Sequence, residues 1–504
     1  MAPPPLRPLP AAKFDYWKAH HLLHRAGFGG APEDVRSLAN LGLDKAVDAF
    51  IEPAAPGAQA PLWNADIMRP PTPAEAQAAQ EARRMNDEAA LEQIQRERQR
   101  REGLDREQMR AAQTWWLTRM IETSRPLEEK MTLFWHGHCA TGYRTIEDSY
   151  HMIAQNELFR RHALGNVADL MFAIIRDPAM LEYLDNDENR RQRPNENLAR
   201  ELMELFVLGE GNGYSERDIK EGARALTGFT FDDDAFVFRA NDHDATPKML
   251  FGKRGNWSGD DLVRFLLEKP VASEFLCWKL FRYFVNDAPG DPTADGRAFV
   301  RALAKQLRDG RYELKPVLRT MFRSAYFYDA VNAAAVIKSP MQLIVQAVRS
   351  YRTPVRSMSA LVSAADLMGQ SLFQPPSVKG WDGGRAWINT STLFVRQNVL
   401  IYLLTGRRPQ QYDWPVTDDA YDARHLIADV KAGATQTEGE PPPAFLDAEQ
   451  VARFLLRFSL AARPHQSRVD ALSAFLRQND GAAENDRLIA ALALISAMPE
   501  FQLC

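Results

Sequence analysis

Cysteine is scarce in this chain. Cys139, Cys277 and Cys504 are the only three in 504 residues, widely spaced and odd in number, so they form neither a disulfide framework nor a CxxC knuckle. Long apolar runs are missing too, and nothing approaches the ~18 consecutive apolar residues that would span a bilayer. Charge of one sign is also missing. The formal net charge is -4, with 62 Lys and Arg against 66 Asp and Glu, which gives no global basic field to draw in nucleic acid or an anionic membrane. There is no HExxH, and Gly383-Gly384 lacks the following Lys-Ser/Thr, so a zinc-protease helix and a P-loop are both excluded. The first thirty residues have no apolar core and no twin arginine, and are expected to be a Pro-rich, disordered lead over 1–18 with no export signal. That points to the cytoplasm by default, or to the periplasm or envelope if a signal-bearing partner carries the chain.

What is present is helical periodicity. Hydrophobic content is 45% and charged content 25%, ordinary values for a large globular protein. The pattern predicts a mainly α fold: one large multi-helix body over 19–404, a loop over 405–445, and three C-terminal helices within 446–504. Two short helices are expected between 15 and 50, separated by AGFGGAPEDV. The Ala-, Glu-, Gln- and Arg-rich run around 74–108 lacks sustained apolar a/d positions, so it reads as a long charged helical arm, not a coiled coil. Further helices are predicted at 114–123, 126–136, 147–157, 195–208, 216–227, 271–285, 338–351 and 391–403. Alternating aromatic and polar residues at 228–256 predict a small β-hairpin, with Asp232-Asp233-Asp234 at its turn.

Several segments carry chemistry-bearing residues. In HHLLHRAGFGG, His20 and His24 share a helix face at i,i+4, and His24 with Arg25 also suits a helix C-terminus closed by glycine. In FWHGHCATGY, His136 and His138 point the same way in an extended chain. In a helix they stand about 200° apart, at ~100° per residue, and cannot share a ligand. Gly137 makes a helix end plausible there. In RPNENLARELMELFVLGEG, Asn197, Arg200, Glu201 and Glu204 fall within a ~100° arc opposite a leucine face. That arc is either a solvated polar face or a carboxylate pair beside an arginine, able to hold a cation or act as acid and base. Arg224 is a candidate anion binder, and His243 lies in an irregular loop. Lys379 and Trp381 belong to a Pro-, Gly- and Trp-rich segment that reads as an Ω-like loop or a binding wall.

Taken together, HLLHRAGFG, FWHGHCAT, RRHALGN, NENLARELMELFVLG, GYSERDIKEGARALTGF, IKSP, FQPPSVKGW and AMPEFQL resemble the bacterial domain-of-unknown-function 1800 family from about residue 19 to the C-terminus. The charged insertion near 74–108 departs from the family pattern, as does Cys139 where phenylalanine is expected. The resemblance implies a large, mainly helical fold and no settled activity. It also implies a companion protein of the sulfatase-like domain-of-unknown-function 1501 family, which carries an export signal.

Two readings stay open. In the first, the chain is an enzyme, hydrolytic or transferring, with His136, His138, Glu201 and Glu204 as catalytic groups. A divalent metal (Zn, Mn or Fe) on those same four side chains is one version of it. His24, Arg25, Asn197, Arg200, Arg224, His243, Lys379 and Trp381 would then hold substrate. In the second, the chain is a non-catalytic helical partner of the exported companion protein.

Overall fold

The computed structural model describes residues 6–53, 59–287, 293–428, 447–477 and 484–504. It is mainly α, with two separate two-stranded antiparallel sheets. Buried side chains gather into two apolar cores. One collects residues from the N-terminal helices and from the region between 159 and 328. The other is built from the second half of the Glu88–Glu122 helix, residues 341–404 and the C-terminal helices. The Pro126–His138 helix lies between them, giving Leu127, Met131, Phe134 and Trp135 to the first core and Leu133 to the second.

Local chemistry accounts for most element ends. Thr72 and Glu75 form a capping box at the start of Pro73–Met85, and Asn86 ends that helix in the left-handed region with φ 49°. Asp87 then caps Glu88–Glu122 by accepting from the Ala90 N–H at 3.1 Å. The long helix runs straight through Gly103. Its residues 92–100 are exposed, whereas Met109, Ala112, Trp116 and Met120 are buried at helical spacing. The arm is therefore a helical hairpin whose second helix becomes a core element. Ser215 and Asn389 cap their helices, each accepting from the N–H three residues on.

Some elements differ from expectation. Three helices, not two, fill the N-terminal region, because Gly42 at φ 75° breaks Pro32–Leu41 from Leu43–Ile51. The lead is ordered from residue 6 onward. Leu9 is buried and its N–H donates to the Arg323 carbonyl, so this stretch lies along 323–325; residues 1–5 fall outside the described residues. The 195–208 helix is Asn197–Glu201 followed by a π turn, Leu202–Val207. The predicted ribbon is two hairpins, Phe229–Asp232 with Ala235–Phe238 and Lys248–Leu250 with Lys253–Gly255, and Asp233-Asp234 makes the first turn. Within the predicted 405–445 loop, Trp414, Tyr421 and Leu426 are buried against the second core; its residues 429–445 fall outside the described ones.

Glu129 is fully buried in the Pro126–His138 helix. It accepts from Arg119 Nε, from Arg160 Nε at 2.9 Å and from Trp116 Nε1 at 3.1 Å. Burial alone would raise its pKa, but the Arg160 and Arg119 guanidiniums outweigh it and hold the carboxyl below its ordinary value. Replacing Glu129 with Ala removes the carboxylate shared by two buried guanidiniums, leaving Arg160 with Glu157 and Arg119 with Glu128, and is expected to destabilise the fold by about 3–5 kcal/mol, measured by denaturant unfolding. His151 behaves differently. Its Nδ1 lies 3.4 Å from Glu182 Oε2 and its Nε2 3.2 Å from Asp234 Oδ1, which clamps the first hairpin turn onto the Ser149–Arg161 helix. Burial lowers its pKa, but the Glu182 hydrogen bond and the charges of Asp148, Glu182 and Asp234 outweigh burial and raise it to about 9. The protonated ring thus stabilises the fold fully below the unfolded value near 6.5, and that contribution is lost as pH rises toward 9. Thermal midpoints measured across this window should fall for the native chain, and the slope should be absent in His151→Gln.

Candidate functional site

Because the Pro126–His138 helix is buried on every side, each of its polar side chains faces a different neighbour. His136 stays within the helix, about 200° from His138 by ~100° per residue, so the pair does not converge. His136 is enclosed by the rings of Trp116, Phe159, Phe373 and Trp381, with centroids 5.5–5.9 Å away. Neither of its ring nitrogens has a partner among the described residues, and burial lowers its pKa to about 3. His138 faces the other way, and its Nε2–H donates to the Phe206 carbonyl at 2.8 Å, at the end of the π turn. The NENLARELMELFV helix does meet the HxH motif, but through a backbone carbonyl and not through Glu201 or Glu204.

Gly137 does not end the helix, which continues to His138. Its role is close approach. A Cβ there would meet the Trp381 ring at 3.1 Å, and one at Gly380, where φ is +79°, would overlap the Gly137 carbonyl oxygen. The 373–389 loop is thereby seated on the helix backbone. Tyr143 N–H donates to the Phe373 carbonyl at 3.0 Å, and Gln374 accepts from the Arg144 N–H at 2.7 Å, fixing the same loop further along.

Beside this contact lies an open cavity of about 190 Å³. On the Pro126–His138 helix its wall is Lys130, Leu133, Phe134, Gly137 and His138, an i, i+3, i+4, i+7, i+8 stripe. The Pro270–Phe284 helix supplies Lys279, Arg282 and Tyr283 in the same way, and the loop adds Lys379, Trp381 and Trp387. Six cationic side chains line the cavity (Arg25, Lys130, Lys279, Arg282, Lys338 and Lys379) against the carboxylates of Asp287 and Asp382 and the negative charge of Cys504, which acts on Arg25, Lys130 and Lys338.

These cations are not equivalent. Lys130 donates to the carbonyls of His24 at 3.0 Å and Gly27 at 2.6 Å and to Gln342 Oε1 at 2.8 Å, closing the end of the Tyr16–Arg25 helix; burial pushes its pKa down to about 7. Arg25 donates to the Phe284 and Val285 carbonyls, both at 3.0 Å, and to that of Asn332 at 2.7 Å. Lys379 pairs with Glu210 at 2.7 Å near the mouth. Arg282 is exposed and, among the described residues, makes no hydrogen bond or ion pair. Lys279 is half-buried, and its one contact of this kind is the Phe275 ring, 5.3 Å away.

Of the candidate catalytic and binding residues named from sequence, Arg25, His138, Lys379 and Trp381 line this cavity. The others do not. His24 is buried, stacked on His20 at 3.9 Å. Arg200 joins Glu196, Glu204 and Glu216 in an ion-pair cluster, and Asn197 donates to Asp185 at 3.2 Å. Glu201 is half-buried, its pKa raised by burial and then by Glu204; the charges of both act on Lys379 behind the mouth. Arg224 is fully engaged with Asp244, Glu221 and Thr246, and His243 donates to the Thr227 carbonyl at 2.8 Å, so both lock the 239–248 loop in place. Among the described residues no group of three or more His, Cys, Asp or Glu side chains is placed to hold a metal ion. The set His136, His138, Glu201 and Glu204 is therefore not assembled, since the helix turns the histidines apart and the carboxylates lie on the face carrying Arg200. Lys130, Lys279, Arg282 and Lys338 went unnoticed in the sequence; the stripe 130, 133, 134, 137, 138 is the signal that points to the first.

A family model described as "Protein of unknown function (DUF1800)" matches residues 21–503. The chain belongs to this family. Searches of curated proteins and of solved structures return no match. For this DUF1800 member the Gly137–Gly380 contact fixes the cavity wall. Gly380→Ala forces both a left-handed φ, at roughly 1–3 kcal/mol, and an overlap. It is expected to lower the thermal midpoint and red-shift tryptophan fluorescence as Trp381 loosens.

Proposed function

We propose that this cavity binds a small anionic molecule with a planar apolar body, and that the chain acts on it enzymatically. The observation that carries this reading is the excess of cations on the wall, two of them, Lys279 and Arg282, without a hydrogen bond or ion pair to a carboxylate among the described residues, although Glu210 and Asp287 act on them at longer range. For Lys279, which is half-buried, positive charge without a contacting counter-ion is unfavourable unless an anion arrives to offset it, while Arg282 is exposed at the same wall. Trp381, Trp387 and Tyr283 supply flat walls that suit a ring or conjugated group. His138 is the one of the four proposed catalytic side chains that lines the cavity. Its Nε2–H is committed to Phe206, so Nδ1 carries the lone pair, buried and without a partner among the described residues. Its pKa, lowered to about 3 by burial, keeps the ring neutral at pH 7. A bound anion would raise that value and make His138 a better base.

The low pKa of His138 favours a second reading, in which the chain holds its ligand without transforming it, as partner of an exported sulfatase-like protein. The Trp381 and Trp387 side chains line the cavity, so on this reading the 373–389 loop acts as pocket wall and not as a docking face.

Benzoate and its neutral isostere benzamide separate charge from shape. Calorimetric titration is expected to show benzoate binding and benzamide binding at least tenfold more weakly. Arg282→Gln should weaken benzoate about tenfold and leave the thermal midpoint unchanged. Equal affinity for the two probes would remove the anionic reading.

A further inference from the structure

The four lysines on the cavity wall differ in what their ammonium groups touch. All three Nζ protons of Lys130 are taken by oxygen acceptors within 3.0 Å, so its lone pair is unavailable without breaking three bonds. Lys338 is 1% exposed; its Nζ donates to the Phe501 carbonyl and lies 4.0 Å over the Phe501 ring. Lys379 is solvated and paired with Glu210. Lys279 alone combines a half-buried position on the wall with no oxygen acceptor among the described residues. Burial lowers its pKa, and the neighbouring charges of Arg282 and Lys379 add to this against the opposing Glu210. An amine set among apolar surface and other cations is the form of lysine that acts as a nucleophile near neutral pH. Arg282, three residues on and one turn along the same helix face, presents a free guanidinium suited to a carboxylate.

We propose that Lys279 is the reactive amine of this cavity and forms an imine with a carboxylate-bearing aldehyde or ketone, whose carboxylate Arg282 holds. The proposal rests on the anion-binding reading above. The Nζ lone pair of the neutral amine forms a C–N bond to the carbonyl carbon. The carbonyl π pair moves to oxygen, which takes up the proton released by nitrogen and gives a carbinolamine. That species then loses its hydroxyl and the remaining N–H proton as water, leaving the imine. No oxidation or reduction occurs in these steps.

The test uses the full chain with 4-carboxybenzaldehyde and sodium cyanoborohydride, whose hydride reduces the imine to a stable secondary amine, located by peptide mass spectrometry. Lys279 is expected to be labelled at least tenfold faster than an exposed lysine such as Lys305, and benzoate should protect it. Lys279→Arg keeps the charge without a nucleophilic amine; it and Lys279→Met should bind benzoate measurably and carry no fast adduct. Benzoate binding to the native chain with Lys279 labelled no faster than Lys305 would overturn the imine and leave the anion site standing. A fast adduct on Lys130 or Lys338 instead would overturn it as well. Neither benzoate binding nor a fast adduct would overturn both.

Discussion

A helix buried on all sides has no solvent to receive its polar side chains, and the Pro126–His138 helix carries four buried titratable ones: Glu129, Lys130, His136 and His138. At ~100° per residue each is aimed at a different neighbour, so each neighbour must supply a partner or a cage. Glu129 takes two guanidiniums and an indole, Lys130 takes three oxygens, His138 takes one carbonyl, and His136 takes four aromatic rings. Those contacts reach the long helix, the N-terminal helix, the π turn and the 373–389 loop. The arrangement of the surrounding elements follows from satisfying one rod.

The same rod makes the cavity. Its stripe from Lys130 to His138 has a glycine next to its last position, and that missing side chain lets the Trp381 loop close to backbone contact. Space is left beside it, bounded in part by the Pro270–Phe284 helix. The cations there divide by the job they do. Arg25 and Lys130 are spent on carbonyls at helix ends, where positive charge complements the dipole and orphan acceptors are satisfied. Lys279 and Arg282 make no such hydrogen bond among the described residues.

The sequence showed much of this in outline. Caps at Ser215 and Asn389, the Asp233-Asp234 turn and most helix positions follow from local rules, because a side chain and the N–H it accepts from lie within three residues of each other. The prediction that a helical HxH pair could not share a ligand was legible for the same reason. The segment at 373–389 read correctly as a packed loop, although nothing local told that its glycine at 380 answers the one at 137.

What the sequence by itself determined is therefore the class of the fold, the ends of its elements and which residues share a helix face, since these depend on spacings of one to four residues. Only the tertiary structure decided which faces meet. It separated Glu201 and Glu204 from the histidines and gave Arg224 and His243 to a loop lock. It also brought Lys130, Lys279, Arg282 and Lys338, scattered over more than two hundred residues, onto one wall. Long-range packing of apolar faces sets those meetings, and a charged side chain's neighbours follow from the packing of the face beside it.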